Sequence, residues 1–193
     1  MKTLLTLFVL LFSSSVVADN ISDFQIGGMS IGDSLLDYFS EEEIKLMIKT
    51  VYPESDKFIK LDTERLVLKD YDGYLFHIKK NDSKYIIFSL GGAKFFEKNN
   101  IKKCIEFKDK IVKDLTSAFK NFKPSSYDFI YENIADGKSI AYITDFKLED
   151  GFVRVWCVNW SEVTEKKLNF EDNVTVDISS REFSDWLINE VYD

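Results

Sequence analysis

Aromatic side chains recur along residues 152–160, and this segment is the part of the sequence best suited to contact a ligand. In a β-strand, successive side chains point to opposite faces. One face of this predicted strand therefore carries Phe152, Arg154, Trp156, Val158 and Trp160. If the preceding strand adds Tyr142 and Phe146, the sheet carries a broad aromatic patch with an arginine in it. The candidate ligand-binding residues are Tyr142, Arg154, Trp156 and Trp160.

An exposed patch of this kind can bind a sugar, an apolar ligand or another protein. Alternatively, the N-terminal or C-terminal helices cover the aromatic side chains and form a second core, and the sequence favours this coverage. Exposure of Trp156 and Trp160 distinguishes the two interpretations, because a covered face would bury both indole rings.

No catalytic or metal-binding motif accompanies the aromatic strand. The single histidine, His77, is predicted to be an ordinary surface residue on the wetter face of a strand. The glycine pairs at 27–28 and 91–92 do not match a phosphate-binding loop. Short acidic turns at 70–73 and 171–173 lack the complete twelve-residue calcium loop. We predict no catalytic residue, no metal and no cofactor.

Two cysteines, Cys104 and Cys157, are the only thiols in the chain. Cys104 lies on the apolar stripe of a predicted helix, and Cys157 lies on the aliphatic face of the aromatic strand. In an oxidising compartment such a pair usually closes a disulfide, although two buried free thiols are the alternative. Neither residue belongs to a Cys-x-x-Cys motif, which argues against a catalytic dithiol.

The N-terminus has the pattern of a cleavable signal peptide. Lys2 precedes an apolar segment at 4–12, and the small residues Val16 and Ala18 fit a cleavage site before Asp19. The apolar segment is about half as long as a membrane-spanning helix requires. The sequence therefore predicts a signal peptide over residues 1–18, a single domain over residues 19–193, and a periplasmic or secreted location.

Composition limits the partners of the predicted domain. Of the 193 residues, 45% are hydrophobic and 15% aromatic, which is sufficient for a packed core. The formal net charge is −8, so the surface repels nucleic acid and anionic lipid. No segment after the signal peptide is long and apolar enough to span a membrane.

Hydrophobic periodicity predicts an α+β fold, in which an antiparallel β-meander sheet packs with one long amphipathic helix and short N- and C-terminal helices. Helices are predicted at residues 33–37, 40–50 and 100–119, and after a capping box formed by Ser179 and Glu182. Strands are predicted at residues 23–26, 64–69, 74–79, 84–90, 127–134, 139–147, 152–160 and 174–178.

Three segments resemble those of a group of uncharacterised exported proteins from marine alphaproteobacteria of the Pelagibacter type. The segments are DFQIGGMSIGDSLLDYFS at 23–40, IKKC at 101–104 and ISSREFSDWL at 178–187. The resemblance covers most of the chain after the signal peptide. It implies a Gram-negative periplasmic setting, and it transfers no functional residue.

Together these patterns predict a non-catalytic exported binding or envelope-interaction protein. Its partner would be an unknown protein or small-molecule ligand, and neither nucleic acid nor a membrane span is expected. The alternative function is that of an exported hydrolase acting through Asp and Glu residues. Such a hydrolase needs two carboxylates about 5–10 Å apart in a cleft, and that separation depends on the fold.

Overall fold

The computed structural model describes residues 20–53, 55–63, 71–97, 100–119 and 121–191. The predicted signal peptide and the predicted strand at 64–69 lie outside the described residues. Within the described part of the chain, none of the helices is long and apolar enough to cross a membrane.

One antiparallel sheet organises the fold, and its eight strands all lie in the described residues. The strands are β1 (Ile48–Tyr52), β2 (Ser55–Asp62), β3 (Gly73–Lys79), β4 (Ile87–Phe95), β5 (Ser125–Ile130), β6 (Ile140–Lys147), β7 (Gly151–Asn159) and β8 (Asn173–Ser180). Their order in the sheet is β1-β2-β3-β4-β8-β7-β6-β5. Two four-stranded meanders therefore meet through their last strands, and the predicted meander of the second half is confirmed.

Helices lie on both faces of the sheet. They are α1 (Glu41–Leu46), α2 (Ile101–Ala118), α3 (Glu162–Leu168) and α4 (Arg181–Trp186), with a π-helical segment, Leu187–Val191, directly after α4. Short 3₁₀ turns span Ile21–Asp23 and Leu35–Asp37. The fold class is α+β, and strands outnumber helices.

The inner face of the sheet, defined as the face that carries Val153, Val155 and Cys157, holds the main core. Helix α2 packs across β7 and β8 on this face, and buries Cys104 and Leu115. A disulfide joins Cys104 to Cys157, with the two Cα atoms 5.9 Å apart. The predicted disulfide is confirmed, because α2 and β7 bring both thiols to one point of the core.

The predicted helix at 40–50 is wrong in its second half. Its N-terminal capping box is present, since Ser40 Oγ accepts the Glu43 N–H and the Glu43 carboxylate accepts the Ser40 N–H. The helix ends at Leu46, and β1 begins at Ile48. Ile48, Thr50 and Val51 are β-branched, and pairing with β2 outweighs the weak helical pattern.

Two other predicted elements also differ from the structure. The segment at 23–26 forms no strand; Ile26 makes only an isolated bridge to Met29 across the glycine pair at 27–28. The cap of the C-terminal helix is Ser180, whose Oγ accepts the Phe183 N–H, because β8 continues to that residue. Ser179 Oγ instead lies 2.8 Å from Ser184 Oγ.

Candidate ligand-binding site

The outer face of the sheet, opposite α2, carries a row of side chains that crosses four strands. Strand pairing places Gly91 of β4 beside Asp177 of β8, Asp177 beside Arg154 of β7, and Arg154 beside Asp145 of β6. Directly paired residues of antiparallel strands point to the same face, so these four residues are neighbours on one surface.

Arg154 is bound to one of its two acidic neighbours. Its Nε donates to Asp145 Oδ1 at 2.8 Å, and its Nη2 donates to Asp145 Oδ2 at 2.9 Å. Nη2 also donates to the Tyr127 hydroxyl at 3.0 Å, which in turn donates to Asp145 Oδ2 at 3.0 Å. A two-pronged pair of this geometry is strong and well ordered. The guanidinium is therefore turned towards β6, and Asp145 balances its charge.

Asp177 has far fewer polar contacts. Ser89 Oγ, 3.2 Å from Asp177 Oδ1, is its one hydrogen-bond donor in the described part of the chain. Burial raises the pKa of this carboxyl to about 7, although the Ser89 hydrogen bond and the Arg154 charge act in the opposite direction. On the β4 side its neighbour is Gly91, where a Cβ would lie 3.7 Å from Asp177 Oδ1. The absent side chain leaves that side of the carboxyl open.

Two cavities meet at Asp177 and Trp156, which line both of them. The helix-side cavity, about 690 Å³, lies between the sheet and the C-terminal helix, and its wall includes Phe152, Arg154, Ser179, Phe183, Leu187 and Ile188. The strand-side cavity, about 950 Å³, extends over β3 and β4, and its wall includes Lys60, Leu75, Gly91, Trp160, Phe170 and Thr175. A wall of apolar and aromatic groups with a few polar ones is typical of small-molecule sites.

Trp160 and Phe170, which line the strand-side cavity, belong to an aromatic stack with Tyr131, which lines the helix-side cavity. The Trp160 ring lies 5.1 Å from the Tyr131 ring at 30° and 4.7 Å from the Phe170 ring. The Trp160 backbone N–H donates to Asp172 Oδ1 at 2.8 Å, which fixes the turn that leaves β7. Helix α3, which the sequence analysis did not predict, begins just after this turn at the N-cap Ser161.

Comparisons with known protein families, with curated proteins and with solved structures give no match. Among the described residues, no group of three or more His, Cys, Asp or Glu side chains is arranged to hold a metal ion.

The structure brings three of the four candidate ligand-binding residues together. Arg154 and Trp156 line the helix-side cavity, and Trp156 and Trp160 line the strand-side cavity. Tyr142 lies elsewhere: it is paired with Cys157 and therefore points to the inner face. Phe146, paired with Val153, points to the inner face too, where it is fully buried.

The predicted covering of the aromatic strand is partial. Phe183 and Trp186 of α4 pack against Phe58 of β2, on the other half of the outer face. Helix α4 also contacts β7, and there the residues of α4 and of the π-helical segment form a cavity wall. Trp156 and Trp160 consequently remain half-buried and open to the cavities.

His77 is buried, so its predicted surface position is wrong. It lies on the outer face as expected, but α4 covers it, and its ring centroid is 4.3 Å from that of Phe183. Nε2 is 2.8 Å from the Tyr52 hydroxyl, and Nδ1 has no hydrogen-bond partner in the described part of the chain. Burial, and secondarily the Lys60 charge, lower the pKa of the imidazole to about 3.

This shift predicts an acid sensitivity that belongs to His77. The unfolded chain takes up a proton near pH 6.5 and the folded chain only near pH 3, so acid favours unfolding between these values. As the pH falls through this window, the unfolding free energy of His77→Leu should rise relative to that of the wild type by about 1 kcal/mol for each pH unit. Urea unfolding of both proteins between pH 4 and 6.5 measures the difference.

The comparison with the wild type is essential, because Asp177 acts in the opposite direction. Its pKa is raised from 3.8 to about 7, so its contribution to stability decreases as the pH rises through that range. Both proteins contain Asp177, and the difference between them isolates the histidine. If the difference in unfolding free energy between the two proteins does not change with pH, protonation of His77 does not destabilise the folded chain.

Proposed function

We propose that this protein is an exported binding protein that holds a small ligand on the outer face of its sheet, without catalysing a reaction. One observation carries the proposal: two cavities with largely apolar walls meet at Trp156 and Asp177. A ligand seated there would contact an indole ring, a carboxyl group and the edge of the C-terminal helix at once.

The arrangement of Arg154 supports binding over catalysis. Asp145 and Tyr127 hold the guanidinium in place before any ligand arrives. A fixed wall reduces the conformational entropy lost on association. Because Asp145 also balances the charge of the guanidinium, Arg154 contributes to the site mainly through its fixed position and its hydrogen bonds, and less through its charge.

Export to the periplasm or to the medium is part of the proposal. The N-terminal pattern at 1–18 is that of a signal peptide, and the disulfide between Cys104 and Cys157 is of the kind that persists in oxidising compartments. A binding protein in that setting meets envelope components, and it meets small molecules before they reach the cytoplasm.

An exported hydrolase is the second candidate, and one observation favours it. The raised pKa of Asp177 suits a general acid, and Asp145 lies two strands away, roughly 10 Å by strand spacing. However, Arg154 and Tyr127 bind both oxygens of Asp145, so this carboxylate is poorly placed to activate water. Turnover of chromogenic glycosides that disappears in Asp177→Asn would establish the hydrolase instead.

Replacing Trp156 tests the proposed function. Trp156 lines both cavities and is half-buried, so Trp156→Ala should weaken ligand binding at least about tenfold while the fold persists. The measurement is native mass spectrometry of protein purified gently from the periplasm. Wild-type protein should retain a small molecule, and Trp156→Ala should lose it.

Phe129→Ala is the matched control. Phe129 is an aromatic residue on the same face with 48% of its surface exposed, and it lines neither cavity. This variant should retain the ligand as the wild type does. Equal retention by Trp156→Ala, or equal loss by Phe129→Ala, would place the binding surface elsewhere.

A further inference from the structure

We propose that the ligand of this site is an organic cation, an ammonium or guanidinium group on an apolar or aromatic body, whose charge is held by the Asp177 carboxylate. This inference rests on the proposed function. It assigns the chemical class of the ligand and the residue that selects it.

Asp177 is incompletely coordinated by the described residues. Its direct neighbour Arg154 has turned its guanidinium to Asp145, and its other neighbour, Gly91, has no side chain. Ser89 supplies one neutral donor. Asp177 is half-buried, and a carboxylate partly withdrawn from bulk water is stabilised by an opposite charge or by further donors. A bound ammonium supplies both, since it carries a positive charge and up to three N–H donors.

Aromatic side chains form part of the wall around the carboxyl group. Trp156 lines both cavities beside Asp177, and Phe152 lines the helix-side cavity. The Arg154 guanidinium carbon already lies 5.2 Å from the Phe152 ring centroid, so this ring accepts a cation in the protein itself. Aromatic faces attract cations through the ring quadrupole, and they also contact the apolar body of the ligand.

The positively charged side chains of the cavity walls are paired with acidic residues or are exposed at the rim. Arg154 is paired with Asp145, and Lys60 Nζ lies 3.9 Å from Asp62 Oδ2. The exposed Arg181 donates to the backbone carbonyls of Leu148 and Glu149. Lys147 is exposed at the rim. An anionic ligand would face Asp177 without a free positive partner, whereas the net charge of −8 attracts cations towards the cleft.

Binding of a cation requires the ionised form of Asp177, so the affinity for the cation should rise with pH. With its pKa at about 7, Asp177 is mostly charged at pH 8 and mostly protonated at pH 6. The histidine near the row, His77, stays neutral across this window, because its pKa is about 3. The other charged groups that line the cavities are Lys60, Asp62, Lys147, Glu171, Arg181 and Asp185.

Three phenyl compounds that differ only in their polar group provide the test. They are phenethylamine, which is cationic, 2-phenylethanol, which is neutral, and 3-phenylpropionate, which is anionic. Isothermal titration calorimetry of the whole protein at pH 8 should show phenethylamine binding at least about tenfold more tightly than the other two. The affinity for the amine should fall about tenfold between pH 8 and pH 6, as protonation removes the carboxylate.

Asp177→Asn keeps the size of the side chain and its place beside Ser89, and it should abolish both the preference for the amine and its pH dependence. Asp185→Asn is the control, since Asp185 is an exposed carboxylate on the wall of the helix-side cavity. It should retain the preference for the amine and its pH dependence.

Several results would overturn the cation assignment: equal affinities for the three compounds, a preference that survives in Asp177→Asn, or no binding of any of them. In each case the proposed binding function is judged separately, by the ligand that the wild-type protein retains and Trp156→Ala loses. The pH series on the wild type needs no variant, so the inference remains testable even if Asp177→Asn is poorly folded.

Discussion

Replacing both cysteines, as Cys104→Ala with Cys157→Ala, is expected to lower the free energy of unfolding by about 4 kcal/mol. The disulfide links residues 53 positions apart, and a cross-link over such a loop removes much of the freedom of the unfolded chain. Both side chains are fully buried, so alanine at each position leaves a small apolar gap and no unpaired polar group. The bond also ties α2 to β7, and α2 is the crossover from β4, near the middle of the sheet, to β5 at its edge.

Urea unfolding of the oxidised wild type, the reduced wild type and the double variant measures this effect. The two proteins without the bond should unfold at similar urea concentrations, both well below that of the oxidised protein. Lys113→Ala, at an exposed position of α2, is the control and should change little. If reduction leaves the midpoint of the oxidised protein unchanged, the bond does not constrain the unfolded chain.

Local patterns in the sequence predicted the elements that local interactions form. The helix predicted at 40–50 begins at its cap Ser40, whose Oγ accepts a backbone N–H there. Strands β6 and β7 followed from the alternation that predicted strands at 139–147 and 152–160, and the Asp150-Gly151 pair lies between those ranges. The disulfide followed from the position of each cysteine on its own element, and it required no knowledge of the strand order.

The binding site is formed by side chains from paired strands, and the pairing cannot be derived from the sequence of any single strand. A shift of one residue in strand pairing moves every side chain of a strand to the other face, so the position of Tyr142 could not be read from β6 alone. Asp177 alternates with the buried Val176 and Ile178, which indicates that it faces away from the core. Only the pairing of β8 with β4 and β7 reveals that its neighbours are a glycine and an arginine bound elsewhere.

The burial of His77 shows the same limit for a residue that the sequence placed on the correct strand. Its neighbours along β3 do not reveal that α4, more than a hundred residues later, lies above it. Propensity was likewise insufficient for β1, where the strand partner decided between helix and strand. His77 was misplaced because a helix distant along the chain covers it, whereas β1 was misplaced because of its pairing with β2, which follows it directly along the chain.

Trp186 is the residue that fixes the C-terminal helix over the sheet. Its side chain is 2% exposed, and its ring lies 4.9 Å from Phe58, 5.0 Å from Tyr52 and 5.4 Å from Phe183 between centroids. Its indole N–H donates to Ser55 Oγ at 2.8 Å. The helix-side cavity has its outer wall on the same segment, at Phe183, Leu187 and neighbouring residues.

Trp186→Ala should therefore lower the free energy of unfolding by roughly 3–5 kcal/mol, the range for truncating a buried aromatic residue. It should also weaken binding of phenethylamine, although Trp186 does not line either cavity, because the wall formed by α4 loses its anchor. Trp186→Phe keeps a ring in place and loses the bond to Ser55, so a smaller cost of about 1–2 kcal/mol is expected. Urea unfolding and calorimetry on both variants give these values. If Trp186→Ala binds the amine as the wild type does, the C-terminal helix is not a wall of the binding site, and the ligand occupies the strand-side cavity alone.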